Sequence, residues 1–294
     1  MKLYASLMLL VFSSSVSADL PLTVENLLSD KGKWRLRSSL TYANSERKGI
    51  DASNPLLVQT GESTFVTIPT IIGENVTNTD ALVTTIGLGY GITAKDELYA
   101  RASSLSVNSR SLNVTGLATS NSTSQFSDAW LGVNHKFRNN VDKAALLGFA
   151  ELQLAERQSD GSTVSGKSWV IGATAYQTYD PVVLSLTGAI QVNTTREVSN
   201  TNYKPGNVIS LTPSVGFAVN DKVTLTTGLR WWLRQAATRD NITEGINQTQ
   251  TALNLGLGYA LGKRDTLSFK VRPQVSGEGD VQISLNWNHR MGQY

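Results

Sequence analysis

The chain has 294 residues, no cysteine, 40% hydrophobic residues, and 26 lysines and arginines against 23 acids, for a formal charge of +3. So small an excess excludes a protein that holds nucleic acid or another polyanion by bulk charge. Charged residues at only 17%, with abundant Val, Ile, Leu and Thr, exclude an intrinsically disordered chain, and the lack of cysteine excludes disulfides, thiolate metal sites and a cysteine nucleophile.

Residues 1–18, MKLYASLMLLVFSSSVSA, read as a secretory signal peptide. Lys2 supplies the positive start, Leu3 to Phe12 the apolar core, and Val16-Ser17-Ala18 the small residues of a cleavage site. The apolar core is about half the ~20 residues that a spanning helix needs. Asp19, not cysteine, follows the cleavage site, which argues against a lipid anchor.

Residues 19–32 are expected to form a short helical plug or gate. Thr23 is placed to cap it with Asn26 three positions on, Leu27 and Leu28 give it an apolar side, and Gly32 ends it. Glu25 and Asp30 bring acids next to the basic residues that follow. The four gate residues are therefore Glu25, Leu27, Leu28 and Asp30. A loose leader on the periplasmic side is the alternative.

From residue 33 to 294 the chain alternates. Leu82, Ile86, Leu88, Tyr90 and Ile92 share one face of 81–93, with Gly87, Gly89 and Gly91 on the other. Val223, Leu225, Leu229, Trp231 and Leu233 oppose Thr224, Thr226, Arg230 and Trp232, and Val281, Ile283, Leu285 and Trp287 oppose Gln282, Ser284, Asn286 and Asn288. A period of two means strands with one apolar and one polar face. Short turns at 94–97, 139–143, 180–181, 220–221 and 262–265 alternate with polar stretches at 44–78, 109–124, 157–166, 196–206 and 239–249, and a tight turn at 277–279 closes the series. Five short turns and six opposite loops give twelve strands, each expected to be about ten residues long.

Short turns on one side and long loops on the other are the pattern of an outer-membrane barrel. The fold class is therefore all-β: a twelve-stranded antiparallel transmembrane β-barrel, with the plug segment before it. Aromatic residues near the short turns (Tyr90, Phe137, Tyr179, Phe217 and Tyr259) suit a girdle at the inner lipid interface. Pro213 and Pro273 fall inside strands, where bulges or band edges are expected.

With the apolar face turned to lipid, the lumen receives Arg35, Arg37, Asp128, Glu151, Arg230, Arg234, Lys270, Arg272 and Arg290. The first and last strands of a closed barrel are neighbours, so Arg35, Arg37, Lys270, Arg272 and Arg290 are expected to form one basic wall, with Asp128 and Glu151 across from it. Such a wall either orients what passes or merely solvates a wet interior. Catalytic readings find little support. His135 and His289 lack the serine two residues on that membrane-embedded lipases use, and both sit in phase with the girdle. No metal cluster, phosphate loop or nucleophile elbow is present in the sequence, so neither an enzyme nor a cofactor is expected.

The segments LPLTVENLL, KGKWRLRSSLTYANSERKG, TDALVTTIGLGYGITAKDELYARAS and DAWLGVNHKF resemble those of Fap-type functional-amyloid secretion pores. They also resemble the related outer-membrane transporters of the phenol meta-pathway. The resemblance covers about residues 20–294 and implies a twelve-stranded barrel, trimers and a helical plug, without catalysis. The periplasmic coiled coil of the amyloid pores has no counterpart here. On this reading the protein is a bacterial outer-membrane pore, in contact with lipid and not with nucleic acid. Its first expected cargo is an unfolded, amyloid-like polypeptide. The alternatives are a passive channel for small hydrophobic or aromatic compounds, and a surface barrel whose loops bind a partner.

Overall fold

Alternating side chains leave a strand with two unlike faces, and a sheet that must bury neither edge closes on itself. The computed structural model describes residues 28–49, 56–61, 63–68, 75–112, 117–138, 144–158, 160–276 and 280–292. The signal peptide, Glu25 and Leu27 lie outside these described residues.

Twelve long strands form the wall. They are β1 (Trp34–Gly49), β2 (Asn75–Gly91), β3 (Asp96–Leu112), β4 (Ala118–Arg138), β5 (Ala145–Arg157), β6 (Ser168–Tyr179), β7 (Val182–Asn193), β8 (Val208–Ala218), β9 (Val223–Arg234), β10 (Gln248–Ala260), β11 (Asp265–Pro273) and β12 (Val281–Met291). Each pairs antiparallel with its neighbours in sequence, and β1 pairs with β12 from Trp34↔Met291 to Asn44↔Val281. The barrel is closed. Strand lengths run from 9 residues in β11 to 21 in β4, so the expected length of about ten was too short for β1 to β4. The surplus is polar and stands at the long-loop end, where Tyr42 donates to Asp80 at 2.5 Å and Arg110 pairs with the same carboxylate.

The outer face is the greasy one. Leu40, Ile86, Leu88, Leu131, Ile171, Leu186, Leu229 and Leu257 are all exposed on it, Ile86 by 58%. An exposed belt of this kind is at rest only against acyl chains. Ile86→Arg is therefore expected to destabilise the barrel in lipid vesicles by about 2–4 kcal/mol. Reversible urea unfolding checks this value, and a cost near zero would mean that this face is wetted. Of the aromatics expected in the girdle, Phe137, Tyr179, Phe217 and Tyr259 are exposed on the outer face, and Tyr90 lies 4.7 Å from the Trp34 ring. His135 and His289 join them. Each ring takes an aspartate (Asp96 at 2.6 Å, Asp265 at 2.8 Å) and sits beside Phe137 or Trp287.

The prolines behave differently from each other. Pro273 ends β11, as expected of a band edge. Pro213 lies within β8 without a shift of register; it pairs with Leu186 of β7, while the β8–β9 ladder is interrupted between Leu211 and Ser214. The register shifts among the described residues fall in β3–β5 instead, at Ser103/Ser104, Ala129/Trp130 and Lys136/Arg138.

At the long-loop end two hairpins, Arg196–Val198 with Thr201–Lys204 and Ala237–Arg239 with Ile242–Glu244, join into a four-stranded sheet. Their turns are Ser199-Asn200 and Asp240-Asn241, all four at positive φ, which two-residue hairpin turns require. Asp160 reaches this layer through the Ser199 amide at 2.8 Å. Hydrogen bonds from Ser162 and from the Ser199 amide hold its carboxyl down to about 2. The contribution of this tie is thus present above the ordinary aspartate range and is lost only as pH falls through about 2.

Candidate channel lumen

The inner face of the wall follows from the phase of the outer one. Arg35, Arg37, Thr41 and Ala43 of β1, Glu97, Tyr99 and Arg101 of β3, and Arg230, Trp232 and Arg234 of β9 all point inward, and most are buried. Small residues make room for large ones. A Cβ on Gly132 would run into the Tyr99 ring, and one on Gly172 into Phe149.

The lumen is occupied by the chain's own first long loop. Leu56–Gln59 and Phe65–Ile68 form an antiparallel hairpin that touches opposite sides of the barrel. Leu56, Val58, Val66 and Ile68 pack on Ala43, Ala81, Val83 and Leu105 of β1 to β3, and Leu57 and Phe65 pack on Val208 and Trp232 of β8 and β9. Its polar ends are tied down as well. Gln59 accepts from Arg230 at 2.6 Å, Thr60 and Thr64 accept from Arg101, Gln282 donates to the Leu57 carbonyl at 2.7 Å, and the Ser63 and Ser210 hydroxyls lie 3.4 Å apart. Arg230 also lies over the Phe65 ring, 5.6 Å from its centroid. Only an element inside the barrel can reach β3, β9 and β12 at once.

Below the hairpin, towards the short turns, lies a chamber of about 350 Å³ lined by residues of β1 to β6, the hairpin and β10 to β12. A second cavity of about 180 Å³ shares Gln59, Thr174, Lys270 and Arg272 with it. Between the hairpin and the β9–β12 wall the remaining cavity is only about 20 Å³. The barrel is therefore wide towards the short turns and narrowed by the hairpin above.

Most of the plug expected before the barrel, residues 19–27, lies outside the described residues. Among the described residues there is no helix, and the described part of that segment, 28–33, runs in extended and turn geometry. It tucks under β2 and β3, where Gly32 donates to the Gly91 carbonyl at 2.7 Å and Ser29 donates its amide to Glu97 at 2.6 Å. The Leu28 carbonyl accepts from Arg35, Ser29 is buried, and Asp30 is exposed. A strand pairing at Lys31↔Gly91 holds this stretch, and satisfying backbone groups against a neighbouring strand leaves no reason to coil.

The basic residues do stand together as one wall, and one buried acid offsets part of its charge. Arg35 and Arg290 are register partners across β1 and β12, and Lys270 and Arg272 follow on β11. Glu97, fully buried, sits in the same wall, accepts from Arg37 at 2.6 Å and from Asn134 at 3.0 Å, and lies 3.9 Å from Arg35. Across the lumen Glu151 accepts from Arg101 and Tyr99, both at 2.8 Å, while Arg101 lies over the Trp130 ring. Asp128 accepts from the Trp130 ring nitrogen at 2.9 Å, and Arg234 is buried near the long-loop end. Glu97, Tyr99 and Arg101 were missed by the sequence reading, which assigned Glu97 to a turn. Carrying the alternation of Leu98 and Ala100 back by one residue would have found all three.

A closed, lipid-belted twelve-stranded barrel with a polar interior and a partly filled bore has the architecture of an outer-membrane channel. The family described as the MetA pathway of phenol degradation matches residues 57–284, and the chain belongs to that family. No curated protein matches by sequence. Among solved structures, an outer-membrane channel from Pseudomonas putida F1 is similar with a TM-score of 0.65 at 11% identity, over 95% of this chain and 99% of that one. The monoaromatic hydrocarbon channel CymD gives 0.48 at 9% identity over 90% of each chain, and the transport unit of the autotransporter AIDA-I from Escherichia coli gives 0.48 at 12% over 90% and 91%. The family match falls on the phenol-pathway side of the resemblance; no match supports the amyloid-secretion side.

Proposed function

We propose that the barrel is a passive channel for small aromatic or hydrophobic compounds, and that the hairpin at 56–68 governs passage through it. The observation that carries this reading is the hairpin itself, an apolar element seated across the bore above a chamber of small-molecule size. Membership of a phenol-degradation family supports the aromatic class of cargo. Export of an unfolded polypeptide is disfavoured by the same hairpin, which is seated across the bore and packs on both β1–β3 and β8–β9. The lumen residues act in this proposal as paired supports (Arg35, Arg37, Glu151) and as the charged lining of the chamber (Lys270, Arg272) and of the cavity that adjoins it (Arg230).

Initial uptake of radiolabelled toluene by cells with and without the channel tests the reading, since an intact lipopolysaccharide layer slows hydrophobic solutes. A several-fold faster uptake in cells that carry the channel is the expected result. Equal rates would overturn it.

A further inference from the structure

The chamber has two unlike sides. Lys270 and Arg272 come from β11, while Leu147 and Phe149 come from β5, six strands away in a ring of twelve, hence diametrically opposite. Arg37, Arg101 and, in the adjoining cavity, Arg230 add further cations, and Glu151 is the one acid among the described lining residues. Nearby acids do not reverse this balance. Glu97 stands behind Arg37, and Asp280 shares the small upper cavity with Arg230 and Arg272. Counting all three acids against these five bases still leaves the chamber positive. Hydroxyls and amides, among them Thr85, Asn134, Thr174, Ser268, Ser284 and Asn286, supply further lining.

We propose that this chamber is a binding site for small aromatic anions, with the carboxylate or sulfonate on Lys270 and Arg272 and the ring against Phe149 and Leu147. The inference deepens the channel reading and rests on it for the cargo's route. The chemistry is that of two complementary walls. Arginine and lysine donate charge-assisted hydrogen bonds to an anion. The aliphatic and aromatic side takes the ring out of water. A neutral hydrocarbon meets only the second wall, and an aromatic cation is repelled by the first. The volume of about 350 Å³ holds one such molecule with its waters.

Calorimetric titration of the full barrel in detergent tests the site, with sodium benzenesulfonate as the probe and benzylammonium chloride as the control. Benzenesulfonate is expected to bind saturably and benzylammonium not to bind. Lys270→Gln and Arg272→Gln, tested singly and both checked for heat-modifiable mobility, are each expected to weaken benzenesulfonate about tenfold. In the wild-type protein the affinity is expected to fall as sodium chloride rises from about 0.05 to about 0.5 M. Equal affinity for the two probes, or no loss in either folded variant, would overturn the proposal. This outcome is distinct from failure of the channel reading: faster toluene uptake with no anion binding removes only the site, whereas anion binding without any uptake removes only the conduit.

Discussion

Replacing residues 56–68 by a short glycine-serine linker is expected to raise single-channel conductance in planar bilayers several-fold. The expectation follows from what the hairpin fills. Leu56, Val58, Val66 and Ile68 cover the β1–β3 side of the bore, and Leu57 and Phe65 cover the β8–β9 side. The cavity between them and the β9–β12 wall is about 20 Å³, against about 350 Å³ below. A bore with twelve strands is wider than an eight-stranded barrel, whose side chains fill it, so removing the obstruction opens a water-filled path. The wall itself does not depend on the hairpin, because its hydrogen bonds run from strand to strand around the ring. The variant should therefore still fold and still show heat-modifiable mobility. Unchanged conductance in a folded variant would place the resistance elsewhere.

Glu97→Gln is expected to destabilise the barrel by about 3 kcal/mol. Glu97 is fully buried and serves Arg37, Arg35, Asn134 and Ser29 at once. Neutralising it leaves two arginines facing each other on the same strand, with Arg290 opposite Arg35 on the next. Loss of one partner of a buried ion pair costs more than the pair ever contributed, since the surviving charge stays desolvated. Ser29 loses its charged acceptor as well, so the 28–33 stretch should loosen from β2 and β3. Urea unfolding in vesicles measures the first effect, and faster proteolysis near Lys31 and Lys33 measures the second. A variant as stable as wild type, with residues 28–33 equally protected, would show that Glu97 is not the anchor of this end.

How much of this was legible in the sequence depends on the range of the forces involved. The twelve strands were readable because the alternation of Leu, Val and Trp with Ser, Thr and Asn is local, and a closed sheet imposes it everywhere. The inward phase of Arg35, Arg230 and Arg272 came with it. Glu97 was misread because it is the second residue of β3, next to a turn, where period and turn composition compete. The hairpin was missed for another reason. Leu56-Leu57-Val58 and Phe65-Val66-Thr67-Ile68 are apolar runs within a stretch otherwise rich in Asn, Ser and Gly. The polar setting implied a loop outside the barrel, yet those runs have nowhere to go in water. Their partners, Ala43, Ala81, Val83 and Leu105, are the apolar exceptions on an otherwise polar inner face, and the two anomalies answer each other. Of the segment expected to be a helix before β1, the described end, 28–33, pairs with a strand edge at Lys31↔Gly91 instead of coiling.

That small solutes pass only when the hairpin leaves its seat is tested most directly by locking it there. Ser63 on the hairpin and Ser210 on β8 have their hydroxyls 3.4 Å apart, and the chain has no other thiol to interfere. Single-channel recording of the Ser63→Cys, Ser210→Cys variant, oxidised and then reduced on the same bilayer, is the measurement. Openings should vanish in the oxidised protein and return on reduction. Openings of the same size and frequency in both states would contradict the claim that the hairpin is the gate.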